Sequence, residues 1–221
     1  SKSSTMRILI LFFFSFSVSF TQSDKKIYFT KKIDKSIPPI IDGDISDDVW
    51  NEVAWQTDFI ELQPDENTQP TNQTKFKILY DDNFVYVFVK SLLKRSEIVN
   101  RLTRRDELDG DAIYIGIDSN NDKINAFMFG LSSAGTQKDV FVSNNGDNED
   151  ESWNAIWYSK TKVDDEGWNA ELKIPFSQLR FKNQDNQTWG FNIMRVDFKN
   201  NEQSLWDRVP AGSAGWISES G

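Results

Sequence analysis

The feature that most constrains the fold is a two-residue alternation of apolar and polar side chains, which recurs along much of the chain after residue 74. The clearest case is residues 168–174, where Trp, Ala, Leu and Ile alternate with polar residues until Pro175. Successive side chains of a β-strand point to opposite faces, so this spacing predicts strands with one buried face. Residues 84–89 are apolar throughout and predict a strand at the centre of a sheet.

The arrangement of these segments predicts an all-β protein. About ten short strands are separated by turns rich in Asp, Asn and Gly, and no long amphipathic helix competes with them. We expect an antiparallel β-sandwich that is jelly-roll-like, with immunoglobulin-like layering of its sheets. One short N-terminal helix is predicted after Ser46, which can cap it, and the helix should cover one end of the sandwich. Trp50, Trp168 and Trp189 are assigned to the core.

Composition excludes several classes of function. The 221 residues include no Cys and no His, which excludes disulfides, Cys/His metal sites, cysteine nucleophiles and proton relay through imidazole. The 34 acidic residues outnumber the 25 basic ones, and the resulting negative field disfavours nucleic acid as a partner. Eight Trp, seventeen Phe and five Tyr supply flat apolar surfaces that suit stacking against a neutral polyol.

The N-terminal residues have the order of a secretory signal. Arg7 precedes an apolar run at residues 8–14, and a Ser/Phe-rich stretch continues to Phe20. We therefore predict that residues 1–22 are a cleaved signal peptide, with residues 1–5 as upstream read-through, and that the protein is exported. An apolar first strand or a membrane anchor is the alternative.

The remaining chain is predicted to form one domain. Residues 23–38 are a Lys-rich lead-in, and no Pro/Ser/Gly linker divides residues 39–221. The sequence stops at Gly221 without a closing strand, which predicts a domain truncated at its C-terminus.

Four blocks of residues carry a resemblance to a known family. They are Ile41-Asp42-Gly43 with residues 47–50, residues 77–87, residues 167–175 and residues 189–192. In order and spacing they resemble the family-nine carbohydrate-binding modules. The resemblance implies a β-sandwich, non-catalytic sugar binding, and an association with carbohydrate catabolism and O-glycosyl hydrolase activity.

A narrower resemblance is carried by Arg104-Arg105-Asp106, by Gly110-Asp111 and by residues 174–181. These residues resemble a subgroup in which the module leads a long envelope protein of Gram-negative bacteria, ahead of a predicted membrane β-barrel. That resemblance implies a location in the periplasm, the outer membrane or the cell surface. It also implies two kinds of partner, a glycan or oligosaccharide and the protein's own C-terminal barrel.

The candidate carbohydrate-binding residues are Trp216, Trp157, Tyr114, Arg105 and Asp111. Sugar-binding members of the family hold a terminal sugar between two tryptophans, and the resemblance places the C-terminal one at Trp216 and a ligand-binding Glu at Tyr114. The first tryptophan has no counterpart. The aromatic candidates would be stacking planes, and the charged ones would bond to hydroxyls. Instead of contacting a sugar, Trp157 could pack in the core. Arg105 and Asp111 could instead belong to an ion-pair cluster or a solvated loop.

A weak calcium candidate lies at Asp118, Asn120 and Asp122, whose oxygens alternate as in a calcium loop. Lys123 stands where an EF-hand needs Gly, which excludes an EF-hand. A looser structural calcium site and an ordinary acidic turn both remain open.

Three functional hypotheses follow. The first is a non-catalytic carbohydrate-binding module within a larger envelope protein. The second is a structural or docking domain that has lost its sugar site and packs against a membrane barrel or a periplasmic partner. The third is a weak hydrolase, which would need two paired carboxylates, and such pairs are expected by chance among 34 acidic residues.

Overall fold

The computed structural model describes residues 25–182, 184, 186–210, 212–213 and 215–220, so the predicted signal peptide at residues 1–22 lies outside the described residues. The strands are β1 (Lys31–Lys32), β2 (Ile60–Gln63), β3 (Thr74–Tyr80), β4 (Phe84–Leu92), β5 (Ala112–Asp118), β6 (Ala126–Ser132), β7 (Gln137–Ser143), β8 (Asn148–Asp150), β9 (Tyr158–Val163), β10 (Gly167–Pro175), β11 (Gly190–Asp197) and β12 (Glu202–Leu205). Short 3-10 helices span Asp48–Glu52, Arg95–Glu97, Asn144–Gly146 and Phe176–Gln178. None of the described helices is long and apolar enough to cross a membrane.

The strands form two sheets, which confirms the predicted sandwich. The five-stranded sheet has the order β1-β3-β4-β10-β9, and the seven-stranded sheet has the order β2-β12-β11-β5-β6-β7-β8. Neighbouring strands are antiparallel, except that β1 runs parallel to β3. The predicted central strand lies within β4, which pairs with β3 on one side and with β10 on the other.

One apolar core lies between the two sheets. Ile113, Ile115 and Ile117 of β5 face side chains of β10 that include Trp168 and Leu172, as the alternation predicts. Many aromatic rings meet edge to face in this core, which is a favoured geometry for aromatic pairs. The shared core therefore fixes which face of each strand points outward.

The predicted N-terminal helix is a five-residue 3-10 helix, Asp48–Glu52, and two details of the prediction were wrong. Ser46 does not cap it, because Asp47 occupies the N-cap position. The carboxylate of Asp47 does not cap it either and accepts a hydrogen bond from the backbone N–H of Ile40 at 2.7 Å. Trp50 does not cover an end of the sandwich. It packs on the outer face of the five-stranded sheet against Leu79, Tyr86 and Phe88, where it is fully buried.

Glu171 of β10 holds this N-terminal segment on the sheet. Its carboxylate is fully buried and accepts hydrogen bonds from the backbone N–H groups of Asp42 and Gly43, at 3.0 and 2.9 Å. It also accepts one from the indole N–H of Trp50 at 3.2 Å. Burial raises the pKa of Glu171 to about 7, against the opposing effect of the three donors.

Glu171→Gln should destabilise the fold by about 1–3 kcal/mol at pH values near 5, because an amide cannot accept all three bonds. The pKa of the group is raised on folding, so the unfolded chain loses the proton first as the pH rises. The stability that the acid contributes is therefore complete at low pH and falls as the pH approaches 7. Urea unfolding of both proteins at pH values of about 5 and about 7.5 measures the difference.

The exposed Glu107→Gln is the matched control, and it should change little at either pH. A stability difference between the native protein and Glu171→Gln that stays constant or grows with pH would contradict the raised pKa.

Candidate functional site

Tyr114 lies on the outer face of the seven-stranded sheet, because the residues on either side of it point into the core. It is partly buried and pairs with Gly130 of β6 and with Met194 of β11. Two carbons of its ring lie 2.9 Å from the point where a Cβ of Gly130 would stand. The glycine therefore allows the ring to rest on the neighbouring strand. Burial raises the pKa of the phenol, and its hydroxyl makes no hydrogen bond to the described residues.

Trp216 lies on the same sheet face, over Gly116. Its benzo edge comes within 2.7 Å of the position that a Cβ of Gly116 would occupy. The indole is partly buried and packs beside Met128 against a small apolar cluster that includes Val140 and Ile217. Because Gly116 is two residues from Tyr114, these two positions are about 7 Å apart along the strand.

The segment that carries Trp216 is tied down by hydrogen bonds. The backbone N–H of Ser218 donates to the side-chain oxygen of Asn145 at 2.8 Å. The hydroxyl of Ser220 donates to the carbonyl of Trp216 at 2.9 Å. The indole is therefore positioned by the loop after β7 and by its own turn.

Three charged side chains lie near Tyr114. Lys138 of β7 is the register partner of Gly130 of β6, and it forms an ion pair with Glu151. Burial lowers the pKa of Lys138, but the hydrogen bond to Glu151 outweighs this and the net effect is a raised pKa. Glu149 and Glu151 are both near enough to raise the pKa of Tyr114. An aromatic ring, an ammonium group and two carboxylates therefore lie close together.

We call the outer surface formed by Tyr114, Met128, Lys138 and Trp216 the aromatic face. Tyr114 and Trp216 were predicted from the sequence, whereas Met128 and Lys138 were not. The alternation along β6 and β7 could have found them, because Met128 and Lys138 occupy outward positions opposite Gly116 and Gly130.

Arg105 and Trp157 do not join the aromatic face, since both bind Asp139, which is 1% exposed. The guanidinium of Arg105 pairs with that carboxylate and donates to the amide oxygen of Gln137 at 2.8 Å. The indole N–H of Trp157 donates to Asp139 at 3.2 Å, and its ring is 5% exposed in the core. The backbone N–H of Ala155 donates to the other oxygen at 2.8 Å. This group holds the segment before β9 against β7.

Asp111 also makes its contacts away from the aromatic face. It is fully buried, and its carboxylate accepts hydrogen bonds from the backbone N–H groups of Val99 and Phe198. Burial raises its pKa, and these two donors act in the opposite direction. The side chain therefore fastens two loops to the start of β5.

The calcium candidate forms a hydrogen-bonded turn. The carboxylate of Asp118 accepts from the backbone N–H groups of Asp122 and Lys123, at 3.2 and 2.8 Å. The carboxylate of Asp122 accepts hydrogen bonds from the backbone N–H groups of Ile124 and Asn125. It also accepts one from the side-chain amide of Asn125. Asn120 is exposed. Across the described ranges no group of three or more acidic side chains is arranged to hold a metal ion, and calcium stays a prediction.

Gly116→Val should destabilise the protein by about 1–3 kcal/mol, because the added side chain meets the indole of Trp216. In a Trp216→Ala background the same substitution should be neutral or stabilising, since valine favours strands. Urea unfolding of the four proteins in this double-mutant cycle measures the coupling. Equal effects of Gly116→Val in both backgrounds would show that Trp216 does not lie over β5.

Comparison with known proteins identifies the family. The family model described as carbohydrate family 9 binding domain-like matches residues 41–210. A family 9 carbohydrate-binding module from Caldicellulosiruptor kristjanssonii, solved with glucose, has a TM-score of 0.63 and 21% identity, covering 87% of this chain and 92% of that one. Its cellotriose complex gives the same TM-score and identity, covering 87% and 90%. A protein from Bacteroides uniformis has a TM-score of 0.63 and 12% identity, covering 84% and 90%.

The likeness to these solved structures is one of fold. The search of curated proteins finds no match. The family match covers most of the chain, and the two-sheet sandwich agrees with it. The chain belongs to the carbohydrate family 9 binding domain-like family.

Proposed function

We propose that this chain is a non-catalytic carbohydrate-binding module whose ligand lies on the aromatic face. The observation that carries the proposal is that Tyr114 and Trp216 are partly exposed on one sheet face, each resting on a glycine of a strand. Family membership supports the same conclusion. The module from Caldicellulosiruptor kristjanssonii has been solved with glucose and with cellotriose, so neutral glucose oligosaccharides are the first ligands to test.

The chemistry of the aromatic face suits a pyranose. A pyranose ring has apolar C–H groups, which pack against aromatic planes. It also has hydroxyls, which need both hydrogen-bond donors and acceptors from the protein. Lys138 can donate, and Glu149 and Glu151 can accept in charge-assisted bonds. Because Lys138 and Glu151 already pair, neither charge is left uncompensated when the sugar is absent.

The cellular setting of this function is also a proposal. The signal-like order of residues 1–22 supports export to the periplasm, the outer membrane or the cell surface. The subgroup resemblance at residues 104–111 supports a place within a larger envelope protein that takes part in glycan breakdown or uptake, next to a membrane barrel.

A structural or docking domain is the second candidate. The observation that favours it is that Arg105 and Asp111, which were expected to contact a ligand, have internal partners instead. On this account Tyr114 and Trp216 cover the sheet and bind nothing. The two candidates differ in whether any glycan binds.

Tyr114→Ala should weaken binding of cellotriose about five- to tenfold, because an aromatic contact contributes on the order of 1 kcal/mol beyond burial. Trp216→Ala should weaken it by a similar factor. Isothermal titration calorimetry of the native protein and both variants measures the affinities.

Phe29→Ala is the matched control, because Phe29 is an exposed aromatic side chain just before β1 of the other sheet, and it should leave cellotriose binding unchanged. Thermal melting separates lost binding from lost folding in Trp216→Ala. Absence of binding heat for the native protein across a panel of neutral glycans would favour the docking domain.

A further inference from the structure

A cleft lies beside β9, at the edge of the five-stranded sheet. Its volume is about 500 Å³, and it is shallow and open to solvent. It is lined by Ile41, Gln137, Trp157, Tyr158, Ser159 and Lys173. We call it the β9 cleft, and we propose that it is a second binding site, which takes a sugar unit that carries a carboxylate, such as a uronic acid.

Tyr158 supplies an aromatic plane in the β9 cleft. It is the first residue of β9 and is 52% exposed, so its ring is not needed to close the core. The exposed ring offers a plane on which the C–H face of a sugar can rest.

Lys173 supplies a positive charge next to that plane. It is the register partner of both Tyr158 and Tyr86, and its ammonium lies 4.1 Å from the ring centre of Phe84. The same ammonium is 5.8 Å from the ring centre of Tyr86 and 6.0 Å from that of Tyr158. These rings stabilise a cation without neutralising it.

The ammonium of Lys173 has no acidic partner among the described residues. Two other lysines on strand faces do have acidic partners. Lys90, whose side chain is 11% exposed, pairs with Asp164 and Glu166. Lys138, at 18%, pairs with Glu151. Lys173 is partly buried as they are, yet in the part of the chain that the structure describes it makes neither an ion pair nor a hydrogen bond, and its N–H donors remain for a ligand.

The nearest acid along the strand does not neutralise it. Glu171 is two residues away on β10, but its carboxylate is buried and already accepts three hydrogen bonds from the N-terminal segment. A ligand carboxylate is therefore the group that would complete the environment of Lys173.

Ser159 faces the other way. It is the register partner of Leu172, whose side chain lies in the core, and its oxygen accepts a hydrogen bond from the amide of Gln137 at 2.9 Å. The combination of one plane and one unpaired ammonium on the outer face fits a single carboxylated sugar. A polyanion is disfavoured, because the whole chain carries a net charge of −9.

The β9 cleft is separate from the aromatic face. Tyr158 and Lys173 belong to the five-stranded sheet, whereas Tyr114 lies on the outer face of the seven-stranded sheet. Binding at one site can therefore be lost without loss at the other, and the inference does not depend on the proposed function of the aromatic face.

The test compares digalacturonate with its neutral methyl ester by calorimetry and amide NMR titration. Lys173→Met keeps the aliphatic stem over Phe84 and removes the charge, and we expect at least a tenfold loss of digalacturonate affinity. Tyr158→Ser should weaken it about fivefold. The ester should bind the native protein at least tenfold more weakly than the acid. Higher salt should weaken binding of the acid but not of the ester.

Lys160→Met is the matched control, since Lys160 is an exposed lysine two residues from Tyr158 on β9, and it should change affinity less than twofold. The exposed position of Tyr158 makes Tyr158→Ser safe for folding, which thermal melting verifies. Equal affinity for acid and ester, full binding by Lys173→Met, or loss of binding in Tyr114→Ala would each overturn the proposal.

Discussion

The alternation of side chains along β5 is the constraint on which the aromatic face depends. Ile113, Ile115 and Ile117 must enter the core between the sheets, so Tyr114 and Gly116 must point outward. A shift of one residue would bury the phenol and expose three isoleucines. The antiparallel partners on both sides of β5 then set what stands next to Tyr114, with Gly130 on β6 and Met194 on β11. The exposed aromatic face is thus a consequence of the way the core is filled.

Buried carboxylates stabilise the loops around this sandwich, and this explains part of the acidic composition. Glu171, Asp139 and Asp111 are almost fully buried, and each accepts hydrogen bonds from backbone N–H groups of a distant segment. Such acceptors fix loops that have little apolar surface of their own. The acidic turn at Asp118 uses the same chemistry over a short distance. In these places a carboxyl group serves the fold as a hydrogen-bond acceptor, and an acidic residue in a loop is weak evidence for a ligand.

Local patterns predicted the fold, whereas the family resemblance pointed to Tyr114 and Trp216. The sandwich, the central strand and the buried Trp168 follow from spacing that is visible within each segment. Tyr114 was identified by the family resemblance, and its outward position agrees with the alternation. The partners of Arg105 and Glu171 could not be found this way, because they are 34 and up to 129 residues away in the chain. Contacts of that range are set by how the sheets stack, which no local pattern contains.

The central claim is that a sugar rests on the outer face of the seven-stranded sheet. Amide and indole NMR spectra recorded during a titration with cellotriose test it most directly. The largest shifts should occur at Tyr114, Gly116, Gly130 and the indole of Trp216, and the signals of the five-stranded sheet should stay unchanged. Shifts confined to the five-stranded sheet, or no shift at a saturating concentration of the sugar, would contradict it.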